Sequence, residues 1–265
     1  MYNLFTLSVK YLKYLLTASN GKGHGVHSPF VFDFVINVLN DKSRPPAFDK
    51  IEALRATLLK QEEKITVEDF GAGSALDPSR ERRISDIARH AAKPAKYGRL
   101  LHRVTEHYQC RNILELGTSL GLSTAYMAAA PSAQKVVSLE GSENIANQAN
   151  HNFTALSLHN IEIITGNFDH TLDAVLKNHP KPDLVFFDGN HRKEPTLRYF
   201  RQCLARAAES DIFIFDDIHW SAEMEGAWRD ICQDDAVTCS IDLFFVGIVF
   251  FRRDFREKQA FTIRY

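Results

Sequence analysis

Between Arg111 and Phe215, short apolar runs alternate with longer segments of helical character. The runs are Asn112–Glu115, Lys135–Leu139, Ile161–Thr165, Asp183–Phe187 and Asp211–Phe215. The segments between them cover Leu122–Ala130, Glu143–Leu156, Phe168–Lys177 and Pro195–Ala208. Strands joined by helix-length crossovers run parallel, with helices on both faces of the sheet. After a helical stretch near Ala222–Ile231 come two more β-rich runs, Ala236–Ile241 and Phe244–Phe251. They stand too close together for a crossover helix, so they should pair antiparallel. The alternation by itself fits many α/β folds.

The chain divides near residue 95. Residues 1–95 form a mostly helical N-terminal extension or lid, and 96–265 carry the alternating domain. Ser28-Pro29 resembles an N-cap followed by proline at the first helical position. Ile51, Leu54 and Leu58 mark another amphipathic helix, and Pro94 separates helices around Ile84–Ala91 and Tyr97–Tyr108. Near the start, Phe5, Val9, Leu12 and Leu16 recur at helical spacing and are interrupted by Lys10 and Lys13. That describes an amphipathic helix packed on the domain, not a signal peptide, and no run reaches membrane-spanning length. The glycine-rich stretch around His24 and His27 is a connector whose histidines could reach a ligand.

A net charge of −1 supplies no field of one sign, so nucleic acid and anionic membrane are not expected partners. The four cysteines include no C-x-x-C pair, which argues against structural zinc and disulfides and fits a cytoplasmic location.

The first strand runs into Glu115-Leu116-Gly117-Thr118-Ser119-Leu120-Gly121-Leu122-Ser123, a tight loop entering a helix whose backbone N–H groups can face a ligand. Its second glycine follows four residues after the first, which does not suit a dinucleotide pyrophosphate. Asp69-Phe70-Gly71-Ala72-Gly73-Ser74 mimics such a loop, but no second strand with a terminal acid follows it at βαβ distance. Glu140 ends the second strand, where an acid can accept hydrogen bonds from both hydroxyls of a ribose. The same acid would also be favoured simply by the next helix's N-terminus. Asn167 and Phe168 follow the third strand, and Asn167 is equally good capping chemistry.

Leu184-Val185-Phe186-Phe187 is apolar on both faces, as a central buried strand should be, and Asp188 emerges at its C-terminal end. The next strand ends in Asp216-Asp217. Three carboxylates on one edge repel unless a cation lies among them, and hard oxygen ligands suit Mg²⁺ or Ca²⁺. His191 is placed to act as a general base, with His219 a second candidate. Arg192, Lys193 and Arg198 are read as a solvated helix face, and Trp220, Met224 and Trp228 as core or pocket wall.

The string E-L-G-x-x-x-G-x-S, with Asp-Gly-Asn-His and Asp-Asp-Ile-His-Trp, resembles class I S-adenosylmethionine (SAM) methyltransferases of the catechol O-methyltransferase-like branch. The resemblance covers roughly Tyr97 to Phe251. It implies a doubly wound, Rossmann-like, seven-stranded, mostly parallel sheet. It implies SAM contacts from Glu115, Gly117, Thr118, Ser119, Gly121, Ser123, Glu140, Asn167, Phe168 and Asp188, with Phe168 at the adenine. It implies transfer of methyl to a hydroxyl of a small-molecule acceptor, with Asp188 and His191 catalytic. A divalent metal at Asp188, Asp216 and Asp217 stays open, because the family commonly has Asp-Asn where this chain has Asp-Asp. A homodimer is also left open. Competing readings are a metal-independent N- or C-methyltransferase and a SAM-binding protein without turnover. A nicotinamide-dependent reductase is weaker, lacking its glycine pattern and a Tyr-x-x-x-Lys pair.

Overall fold

The computed structural model describes residues 1–19, 21–23, 27–68, 81–90 and 93–265. His24 and the stretch Asp69–Ser74 lie outside the described residues. The chain opens with α1 Leu4–Thr17, α2 Pro29–Phe34 continuing as a π-helical turn over Val35–Leu39, and α3 Pro46–Leu58. There follow β1 Lys64–Thr66, β2 Glu81–Arg83, α4 Ile84–His90 and α5 Ala95–His107. The alternating part begins with β3 Asn112–Leu116, α6 Leu122–Ala128, β4 Lys135–Glu140, α7 Glu143–Ala155, β5 Ile161–Thr165 and α8 Phe168–Asn178. It ends with β6 Leu184–Phe187, α9 Lys193–Leu204, β7 Ile212–Asp216, α10 Ala222–Gln233, β8 Cys239–Asp242, β9 Val246–Phe250 and β10 Gln259–Thr262. Apart from the antiparallel pair β1–β2, the strands are mostly parallel and flanked by helices, and the chain groups into two compact units.

The unit Lys42–Pro182 is built on three parallel strands with β4 in the middle. The register sets Glu115 beside Ser138 and Leu116 beside Leu139, so the C-terminal ends of β3 and β4 finish together. Glu140 pairs with Thr165 at the end of β5. Phe48 and Ile51 of α3, Ile84 of α4, Tyr126 of α6 and Phe153 of α7 share one buried core. Tyr126 also donates from its hydroxyl to Glu52 Oε1 at 2.7 Å, locking α3 to α6.

The unit formed by Met1–Asp41 and Asp183–Tyr265 holds strands in the order β10-β8-β9-β7-β6. Strands β6 and β7 are parallel, whereas β9 runs antiparallel to both β7 and β8. The closing antiparallel pair is therefore as the short β8–β9 connection requires. The final strand, β10, is additional to the seven expected from sequence and pairs parallel with β8. All four residues of β6 and all five of β7 and of β9 are buried, matching their apolar runs.

The first helix forms where its periodicity puts it, but its orientation differs from expectation. The stripe Phe5, Val9, Leu12 and Leu16 is exposed. The face that packs carries Leu7, Tyr11, Tyr14, Leu15 and Ala18, against Phe244 and Phe245. Tyr14 decides the matter, because its hydroxyl donates to the Ile263 carbonyl at 2.5 Å and accepts from Tyr265 N at 3.0 Å. Ser19 N completes the tie to Thr262 O at 2.9 Å.

Trp228 of α10 lies directly over Gly247 of β9, where an added Cβ would sit 2.6 Å from the ring. Close packing there leaves no slack. Gly247→Ala is expected to lower stability by about 2 kcal/mol through overpacking, read as a lowered midpoint in urea unfolding at unchanged slope.

Candidate functional site

In the Lys42–Pro182 unit the candidate cofactor residues gather at the ends of β3, β4 and β5. The loop after β3 turns through left-handed backbone at Gly117 (φ 109°), Ser119 (φ 49°) and Gly121 (φ 77°). Gly121 has no alternative, since a Cβ would meet the Phe153 ring at 2.4 Å. Gly117 N and Thr118 N both donate to Leu139 O, at 2.9 and 3.2 Å, fastening the loop to β4. Asn152 of α7, buried beside Ala146 and Ala149, donates from its amide to Leu120 O at 2.9 Å.

Glu140 stands half-buried at the end of β4. Its Oε2 accepts from Ser119 N at 2.9 Å and its Oε1 from Ser142 N at 3.0 Å. The acid thus fixes both the loop after β3 and the start of α7. Asn167 caps α8, accepting from Asp169 N at 2.9 Å, with Phe168 next in the chain. Ser123 lies half-buried in the first turn of α6.

Glu115 is fully buried. Its Oε2 accepts from Ser138 Oγ and Thr124 Oγ1, both at 2.5 Å. Burial pushes its pKa up to about 8, against the lowering pull of the two hydroxyls and with a small push from Glu140. Burial thus shifts this acid toward its neutral form inside the sheet. Ser138, Thr124 and Ser142 were not singled out from sequence. The available signal was a serine within the apolar run Val136-Val137-Ser138-Leu139, a polar side chain that needs a buried partner.

In the other unit, β6 and β7 are neighbours with Phe187 opposite Phe215, so Asp188 and Asp216 leave the sheet side by side. Asn190 (φ 70°) and His191 (φ 40°) both adopt left-handed backbone, which non-glycine residues rarely hold. The turn brings His191 Nε2 to 3.6 Å from Asp188 Oδ1. Asp188, His191 and Asp216 each offer an atom within 4.8 Å of the others, and Asp216 is only 1% exposed. Asp217 is not in that group. Its backbone is left-handed (φ 53°), and its N–H donates to Phe245 O at 2.7 Å.

His219 has a structural setting. Its Nδ1 lies 3.1 Å from Glu225 Oε1 and its Nε2 lies 2.8 Å from Asp242 Oδ2. Burial alone would lower its pKa, but the two carboxylates outweigh burial and raise it. Glu225 also receives Lys10 Nζ at 2.9 Å and the Tyr2 hydroxyl at 2.8 Å, so this histidine anchors α1. Lys193 pairs with Asp230 and Arg198 with Glu194, as a solvated helix face would. Met224 and Trp228 are core residues. All four cysteines are free thiols. No helix among the described residues is long and apolar enough to cross a membrane.

Residues 114–218 match a methyltransferase domain family. A catechol O-methyltransferase of Niastella koreensis is 30% identical over 124 residues, which is 46% of this chain and 55% of that protein. The chain therefore matches about half the length of its curated relative. Among solved structures, an O-methyltransferase from Bacillus cereus in complex with SAH superposes with a TM-score of 0.56 at 20% identity, covering 83% of this chain and 97% of that one. The O-methyltransferase TomG from Streptomyces achromogenes, in complex with SAM, gives 0.54 at 19% identity over 84% and 95% of the two chains.

Because the folded-state pKa of Glu115 lies above its unfolded value, its contribution is complete below about pH 4.5 and is lost as pH rises toward about 8. In urea unfolding from pH 5 to 8, Glu115→Gln is expected to flatten this decline, which for one such group approaches about 1.4 kcal/mol per pH unit.

Proposed function

We propose that this chain, which has the class I methyltransferase fold and a methyltransferase domain over residues 114–218, transfers the methyl group of SAM to a hydroxyl of a small-molecule acceptor. The observation that carries this reading is the hydrogen bond from Ser119 N to Glu140 Oε2. It ties the loop after β3 to an acid at the end of β4 that suits a ribose diol, as a nucleoside ligand needs. In this reading Gly117, Thr118, Ser119, Gly121 and Ser123 surround the methionine moiety. Glu140 takes the ribose hydroxyls, and Asn167 and Phe168 border the adenine. Glu115 supports the loop through Ser138 and Thr124, and Asp188 serves the methionine amino group or the acceptor.

The chemistry asked of the protein is modest. The acceptor oxygen attacks the methyl carbon in line, the C–S bond breaks, and its electron pair returns to sulfur as the positive charge is discharged. The acceptor proton passes to His191 Nε2. Alignment and desolvation supply most of the rate, and the base adds to them.

Asp188 and Asp216, the second of them buried, bring two carboxylates together within 4.8 Å, hard oxygen donors that fit a divalent cation. Asp188 and Asp216 would hold Mg²⁺, and an ion bound there would supply Lewis-acid polarisation of an acceptor hydroxyl. In this reading His191 is left to the proton.

Calorimetric titration is expected to show SAM binding that Glu140→Ala weakens by about 10- to 100-fold, the worth of hydrogen bonds to a charged group. A folded wild-type protein that does not bind SAM overturns the reading. With catechols and small hydroxylated compounds as acceptors, His191→Gln is expected to cut kcat by about 10²-fold or more with SAM affinity unchanged. Turnover that persists after chelation with EDTA would remove the ion from the scheme.

A further inference from the structure

Glu115 begins a chain of buried hydroxyls that reaches the loop after β3. Its Oε2 meets Ser138 Oγ and Thr124 Oγ1. Ser138 Oγ in turn lies 2.5 Å from Thr118 Oγ1, and Thr118 Oγ1 lies 3.3 Å from Leu139 O. All four side chains are buried. Thr118 belongs to the loop itself, one residue before Ser119, whose N–H donates to Glu140.

Each of these contacts, from Ser138 and Thr124 to Oε2, between Ser138 and Thr118, and from Thr118 to Leu139 O, needs a hydrogen. The hydroxyls of Ser138, Thr124 and Thr118 bring one hydrogen each, one short of the number needed. With Glu115 ionised, Ser138 and Thr124 both donate to Oε2 and Thr118 must choose. If it donates to Ser138, its link to Leu139 O is lost. If it donates to Leu139 O, two hydroxyl oxygens face each other at 2.5 Å with no hydrogen between them. A proton on Glu115 Oε2 removes the conflict. The acid then donates to Ser138, Ser138 to Thr118 and Thr118 to Leu139 O, while Thr124 donates to Oε2. The other oxygen, Oε1, is buried and has no hydrogen-bond partner among the described residues. Ionisation would leave part of a negative charge unsatisfied there, whereas in the acid it is an uncharged carbonyl oxygen.

On the reading that this loop binds SAM, we propose that Glu115 is a positioning residue that works as a carboxylic acid, its proton completing the chain through Ser138 and Thr118 that sets the loop for the cofactor. SAM affinity then falls as the proton is lost. Ser138 and Glu140 face the group from β4 and Thr124 faces it from α6. Burial, the largest influence, pushes the Glu115 pKa up to about 8, the two hydroxyls pull it down, and the Glu140 carboxylate adds a push upward. The chain is therefore complete well below pH 8 and broken above it.

The test is calorimetric titration of the full chain with SAM and, separately, with SAH from pH 6 to 9, with circular dichroism at each pH as the control for folding. Wild type, Glu115→Gln and Ser138→Ala are compared. The Gln amide nitrogen carries two hydrogens, one for Ser138 and one for Thr124, and does not titrate. The α-amino group of either ligand titrates in the same range, so the affinity of Glu115→Gln is read relative to wild type at each pH. That ratio should be near one at pH 6 and about ten at pH 9, alike for both ligands. Ser138→Ala, which leaves the acid in place should Glu115→Gln fail to fold, is expected to bind about ten-fold more weakly at pH 6 and to lose the wild type's further fall. A ratio that stays constant overturns the proposal. A ratio that falls with pH for SAM alone marks attraction between its sulfonium and an ionised Glu115, and equally overturns it. Ser138→Ala with wild-type affinity and pH dependence overturns the relay. Infrared spectra of the ligand-free protein separate this proposal from the SAM reading on which it rests. A protonated-carboxyl band that titrates near pH 8 and is missing from Glu115→Gln places the proton, and its absence from wild type at pH 6 overturns the proposal. A wild type that shows the band and binds neither ligand overturns the SAM reading and, with it, the role in positioning the cofactor.

Discussion

The carboxyl group of Glu115, buried between Ser138 of β4 and Thr124 of α6, is the contact on which the candidate cofactor loop depends. It joins the strand before the loop, the neighbouring strand and the helix after the loop through one side chain. Desolvation is the cost, and keeping the group protonated limits that cost. The in-register pairing of β3 with β4 makes the contact possible, since it sets residue 115 beside residue 138. With those anchors fixed, the loop's path is nearly dictated. Gly117 and Thr118 hang from Leu139 O, Asn152 holds Leu120 O, and Gly121 passes against Phe153 where no side chain fits. The left-handed turn at Ser119 then aims its N–H at Glu140.

Much of this was legible in sequence because it rests on period and punctuation. Buried parallel strands need uninterrupted apolar runs, crossovers need helices, and the two β-rich runs near the end could pair in only one sense. What stayed hidden depends on long-range choice. Gln259-Ala260-Phe261-Thr262 has no apolar run to announce β10, and it becomes a strand only because β8 offers an open edge. Helix α1 offered two seams, and its own residues could not say which would turn inward. The choice came from Tyr14, whose hydroxyl finds the carbonyl of Ile263 some 249 positions away. The link between Glu115 and its two hydroxyls was equally out of reach, because register is a property of the folded pair of strands.

Two histidines follow two neighbouring strands, and their surroundings separate their roles more firmly than their positions in sequence do. His219 has both ring nitrogens within reach of carboxylates, Glu225 on one side and Asp242 on the other. An imidazole so placed favours its charged form and has no nitrogen left for a substrate proton. Through Glu225 it also joins Lys10 and Tyr2 in a network that holds α1 to this unit. His191 Nε2 lies 3.6 Å from Asp188 Oδ1, beyond hydrogen-bond distance, and about a quarter of its side chain is exposed. It sits on a strained turn whose cost no core packing requires, since Asn190 and His191 are both half-buried and both left-handed. Strain retained beside two converging carboxylates is better explained by the position it gives the ring than by stability. Of the two candidate bases, His191 sits on a half-buried turn beside Asp188 and Asp216, whereas His219 is held between Glu225 and Asp242.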